Sequence, residues 1–184
     1  MGAEPWSYFI PYQPNIQAAM ESLQEQEFAA GRYHSKRDYQ RNLPAPTSID
    51  DLRANYLTEE GSRSILDMLQ VVDDPQNLPT WGPISSDASG LSAEDRELLG
   101  LAEDEDIPDE LREFMGSESM SFCTAVKLPA ADLLRLYGTA QPSRQQIESN
   151  SDYFENIGRG CGIYIIAYRD GKPDEIHFAG YSFD

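Results

Sequence analysis

Cysteine is scarce in this chain, and its two copies, Cys123 and Cys161, fall in no Cys-x-x-Cys spacing. Arithmetic therefore excludes a disulfide framework and a cysteine-rich zinc site. Basic side chains are also short: 14 Lys and Arg stand against 32 Asp and Glu, a formal charge of -18. Such a surface repels phosphate backbones and anionic lipids and attracts basic proteins. Neither nucleic acid nor a membrane is expected as a partner. No apolar run approaches the roughly 18 residues of a membrane span. The start MGAEPWSYFIPY lacks a charged n-region and a long apolar h-region, and Trp6 stands where a myristoylation signal needs Ser or Thr. The expected location is cytoplasmic, and no cofactor or metal is expected.

What is present is core material. Hydrophobic residues make up 40% of the chain and aromatics 10%, which is too apolar for a disordered polymer. A length of 184 residues suits one domain, residues 1–184. Trp6 to Tyr12 reads as a strand, and Pro11, lacking an amide donor, puts it at an edge or ends it early. Asn15 caps a helix whose inward face is Ile16, Ala19, Met20, Leu23 and Ala30, stopped by Gly31. The polar stretch 31–46 reads as a loop. Ser48 and Asp51 match a capping box that opens a helix with Ile49, Leu52 and Tyr56 inward. The segment SRSILDMLQVV reads as strand or helix, with Val71–Val72 leaning to strand.

Residues 73–92 carry Pro75, Pro79, Pro83 and Gly90, against regular structure. From Glu94 to Glu113 ten carboxylates meet only two arginines, with two short helices expected in the run. Residues 86–118 therefore read as an acidic surface insertion. SFCTAVK is a third strand candidate, Pro129 opens a helix that Gly138 ends, and Ser143 with Gln146 caps another through Ile147, Phe154 and Ile157. At the end, two β-rich runs flank Asp170-Gly171, a strong hairpin turn. Ile163–Tyr168 is apolar on both faces, as a covered central strand would be. The expected fold is α+β: a four- to five-stranded, mainly antiparallel or mixed sheet, helices packed on it, the C-terminal β-hairpin at its centre.

Chemistry-bearing patterns are few. Gly158, Gly160 and Gly162 follow a helix and precede a strand, the reverse of a phosphate loop, so they read as a helix stop and turn. Cys161 and His177 suggest a thiolate–imidazole dyad, yet pairing Arg169 near Asp174 sets Ile166 opposite His177, roughly 17 Å from Cys161 at about 3.3 Å per residue. Glu103, Asp104, Glu105 and Asp106 lack the spacing and the glycine of a calcium loop. With Asp109 and Glu110 they read as a solvated face or as a docking surface for a basic partner. Arg32, His34, Lys36, Arg37 and Arg41 read as pairing within the chain, to the acidic insertion, or as an anionic contact. Trp81, held in LPTWGP, is a contact anchor or a lid on the core.

The stretches EPWSYFIPYQPNIQAAM and RGCGIYIIAYRDGKPDEIHFAGYSFD resemble a family of small acidic bacterial proteins without an assigned activity. In general character the chain is also similar to immunity proteins that neutralise secreted bacterial toxins. That likeness implies an inhibitory protein occluding a basic partner, such as a toxin or nuclease. Its contacts would be Trp81, Glu103, Asp104, Glu105, Asp106, Asp109 and Glu110, with no catalytic residue. The alternative is a small-molecule-binding domain or enzyme with a site between sheet and helices, drawing on Tyr164, Tyr168, His177 and Tyr181. A binding role is favoured over an enzymatic one.

Overall fold

A computed structural model of the chain describes residues 4–40, 42–58, 61–73 and 123–183. Asn15 accepts the amide of Ala18 through its side chain and so starts helix α1, Ile16–Ala29. Gly31, at a φ of 66°, takes the left-handed turn that ends it. Helix α2, Ile49–Asp51, starts where Ser48 accepts the Asp51 amide, and it runs on as a π-helical turn, Leu52–Tyr56. Helix α3, Ala130–Tyr137, stops at Gly138, whose φ is 72°. A full capping box between Ser143 and Gln146 opens helix α4, Arg144–Ser149.

The strands are β1 (Pro5–Pro11), β2 (Gln70–Val72), β3 (Thr124–Lys127), β4 (Gly162–Arg169) and β5 (Lys172–Tyr181). They form one mixed sheet in the order β1-β5-β4-β3-β2. The β1–β5 and β5–β4 pairs are antiparallel, and β4–β3 and β3–β2 are parallel. The C-terminal hairpin therefore supplies the middle strand, as its apolar pattern implied. Asp170 and Gly171 both hold positive φ, 53° and 72°, as a two-residue hairpin turn of matching twist demands.

Three local expectations need correction. Arg169 pairs with Lys172 and not near Asp174, and a bulge at Ala167/Tyr168 then shifts the register by one, so His177 faces Ile165 and not Ile166. The SRSILDMLQVV segment is neither one strand nor one helix: a 3-10 turn, Ile65–Asp67, precedes the short strand β2. The carbonyl of Met68 is taken by the side chains of Gln24 and Arg53, and that of Ile65 by Gln24, so the turn does not propagate as a helix. The helix expected through Ile157 ends at Ser149 instead. Asn150 donates its side-chain amide to Leu136 and accepts the Asp152 amide, which turns the chain into a separate 3-10 stretch, Asp152–Asn156.

Each sheet face has its own cover. On one, Trp6, Ala125, Tyr164, Ile176 and Phe178 pack under Ala19, Met20 and Leu23 of α1, with Ile65 and Met68. Residues of opposite pleat parity, Ile163, Ile165, Ala167 and His177, are also buried. On that side Tyr153 donates to or accepts from His177 at 2.9 Å, and the Phe9 ring lies tilted against the imidazole with centroids 4.3 Å apart. The acidic insertion, residues 86–118, lies outside the described residues.

Candidate functional site

Helix α1 carries two stripes. Ala19, Met20, Leu23 and Glu27 turn into the core, and the Glu27 carboxylate is satisfied there by Arg32 at 2.6 and 2.9 Å. Glu21, Gln24, Glu25 and Phe28 follow the i, i+3, i+4, i+7 spacing of a second helical face. That face lines a groove of about 440 Å³, whose opposite wall is Ser48, Ile49, Asp50 and Arg53 from the start of α2. Phe28 and Ile49 give it apolar surface, while three carboxylates face one guanidinium.

Arg53 is anchored inward. Its Nε donates to the Leu66 carbonyl at 3.0 Å and its terminal nitrogen to Met68 at 2.7 Å. Burial lowers its pKa from the ordinary arginine value, and the nearby Asp50 and Asp67 charges oppose that fall. Glu21 accepts a bond from Gln17 at 2.8 Å, whereas Glu25 and Asp50 make no ion pair among the described residues. Phe28 stacks on Tyr33 at 5.6 Å with planes only 7° apart, which fixes its ring. Among the described residues no group of three His, Cys, Asp or Glu is placed to hold a metal ion.

Behind the groove wall lies a buried polar turn. Asp67 accepts the Ser62 amide at 2.7 Å through one oxygen, and burial raises its pKa above the ordinary carboxylate range. Gly61 closes this turn with a φ of 71°, and a Cβ there would meet the Asp67 carboxylate at 2.7 Å. These contacts hold the Ile65–Met68 carbonyls against which Arg53 and Gln24 are fastened. Sequence reasoning missed the groove. The α1 stripe was legible as a second period of 3.6, but nothing local told which segment would face it.

All of the expected contact residues, Trp81, Glu103, Asp104, Glu105, Asp106, Asp109 and Glu110, lie outside the described residues, as does Arg41. Among the described residues, the other members of the basic stretch find partners within residues 27–55. Arg32 bonds Glu27, Lys36 the Asn55 carbonyl, Arg37 the Leu43 carbonyl, and His34 lies 3.7 Å from Asp38. The residues of the small-molecule alternative do not converge. Tyr164 points to the α1 side, where its hydroxyl donates to Asp73, while His177 meets Tyr153 on the other side of the sheet. Tyr181 packs against Phe154 at 5.4 Å, and Tyr168 is held through its amide by the Pro142 carbonyl.

The thiols are poorly set for chemistry. Burial pushes Cys161 up to about 11 and raises Cys123. His177 faces Ile165, four positions beyond Cys161, or ~13 Å along the strand at about 3.3 Å per residue. Its Nε2 is already engaged by Tyr153. Among the described residues no helix is long and apolar enough to cross a membrane. No family model, curated protein or solved structure matches the chain.

Proposed function

We propose that the protein is an acidic binding protein that occludes a basic protein partner, in the manner of an immunity protein set against a toxin or nuclease. The observation that carries the reading is the α1–α2 groove. It joins apolar surface from Phe28 and Ile49 to a rim of Glu21, Glu25 and Asp50, on a chain of net charge -18. An interface that is apolar at its centre and charged at its edge combines short-range burial with long-range attraction. The carboxylates of 103–106, with Asp109 and Glu110, add to the net charge, and Trp81 is the expected aromatic anchor.

The test is affinity capture from the native host at low salt, identification of the captured protein, and reconstitution of the pair from purified components. A basic partner is expected whose own activity is blocked in the complex. Binding is expected to weaken when Glu21→Gln, Glu25→Gln and Asp50→Asn are combined. It is expected to persist when Asp132, Glu148 and Asp170, which do not line the groove, are neutralised instead. A reconstituted partner that is acidic, or that binds both triple variants equally, contradicts the reading.

A further inference from the structure

Resting on that reading, we propose that the α1–α2 groove is an anchor for an arginine side chain of the basic partner, and that it prefers arginine to lysine. The charge of the groove asks for a cation. Glu21 and Glu25 stand one helical turn apart on the α1 wall of the groove, and Asp50 lines the opposite wall from α2. The resident cation does not fill that role. Arg53 has its Nε and one terminal nitrogen committed to the Leu66 and Met68 carbonyls on the inner wall. Glu25 and Asp50 are left without an ion pair among the described residues.

The lining then separates the two natural cations. Phe28 and Ile49 give an apolar surface, and the Phe28 ring is held in place by its stack on Tyr33. A guanidinium is planar and weakly hydrated, so it lies against aromatic and apolar surface while its N–H groups reach two carboxylates at once. A lysine ammonium is a compact point charge that keeps its water and gains less from such a lining. The volume, about 440 Å³, falls within the range of about 300–1,000 Å³ typical of ligand sites and leaves room for the aliphatic stem as well as the head. A ring already stacked on Tyr33 lowers the ordering cost of the contact with the partner's flexible side chain.

The experiment titrates the full chain with three peptides of equal length: a Gly-Arg repeat, a Gly-Lys repeat and a Gly-citrulline repeat. Affinity is read by calorimetry and location by backbone amide chemical shifts. The arginine peptide is expected to bind roughly fivefold tighter than the lysine peptide, an aromatic cation contact of ordinary strength. The citrulline peptide, which keeps the shape and loses the charge, is expected not to bind. Shifts are expected along residues 21–28 and 48–53. The combined Glu21→Gln and Glu25→Gln variant is expected to lose binding of both cationic peptides. Phe28→Leu, which keeps an apolar side chain, is expected to bring arginine down to the lysine level, and Phe28→Tyr to retain the preference. Equal binding of both cations that still depends on Glu21 and Glu25 overturns the arginine anchor and leaves the basic-partner reading intact. Shifts that avoid the groove overturn it as well. Failure of either cationic peptide to bind at low salt removes the basic-partner reading itself.

Discussion

The indole of Trp6 occupies the space that a side chain on Gly180, its register partner in β5, would need. A Cβ at Gly180 would fall 2.3 Å from the Trp6 ring and 2.5 Å from the Cys161 carbonyl oxygen. Backbone cannot give way there and the ring is buried, so the missing side chain is what lets the edge strand close on the sheet. Gly180→Ala is expected to cost ~1–3 kcal/mol, the usual penalty for overpacking a core. Gly162→Ala, where the nearest ring and thioether atoms are 3.1 Å away, is expected to cost less. Urea melts of the two variants check this, and equal stabilities would contradict it.

His177 makes the fold sensitive to acid. Burial lowers its pKa from 6.5 to about 4. The unfolded chain then takes up the proton at a higher pH than the folded one. The stability contribution is therefore complete above about 6.5 and is lost as pH falls toward about 4. The full loss is ~3 kcal/mol. His177→Gln is expected to flatten the slope of stability against pH across that window, whatever it costs at neutral pH by removing the ring from Phe9 and Tyr153. Denaturant melts at a series of pH values measure the slope, and an unchanged slope would contradict the assignment.

The thiols are expected to be structural. Replacing Cys123 and Cys161 together by Ala removes two small packed groups and is expected to cost stability while leaving partner binding unchanged. Alkylation of the native chain is expected to be slow at neutral pH, because burial holds Cys161 near 11 and raises Cys123. A folded Cys161→Ala protein without binding activity would contradict this.

Much of the scaffold was legible because its signals are local. Asn15 and Gly31 bound α1, Gly138 ends α3, Ser143 with Gln146 opens α4, and Asp170-Gly171 turns the hairpin, each through bonds or dihedrals set by a few neighbouring residues. The bulge at Ala167/Tyr168 was not read from the sequence, although Pro173, which has no amide to give an internal strand, lies opposite Tyr168 and leaves Asp174 as the extra residue. Nor was the parallel pairing of β2, which has only three residues and joins β3 from across a long stretch of chain. The groove was hidden for a related reason. Glu21, Glu25 and Phe28 show themselves as a stripe, but Asp50 and Arg53 reach them only through the loop at 31–46 and the clamp of Arg53 on Leu66 and Met68.

Steering by charge is the central claim, and the association rate measures it most directly. Salt screens attraction over about 8 Å at physiological strength and about 3 Å at 1 M. With the reconstituted partner in stopped flow, the on-rate is expected to fall steeply with added salt, while the off-rate, set by short-range contacts, changes little. Neutralising Glu21, Glu25 and Asp50 together with Glu103, Asp104, Glu105 and Asp106 is expected to flatten that dependence, and Trp81→Ala to speed dissociation. An on-rate indifferent to both salt and these carboxylates would contradict the account and reduce the acidity of the chain to a matter of solubility.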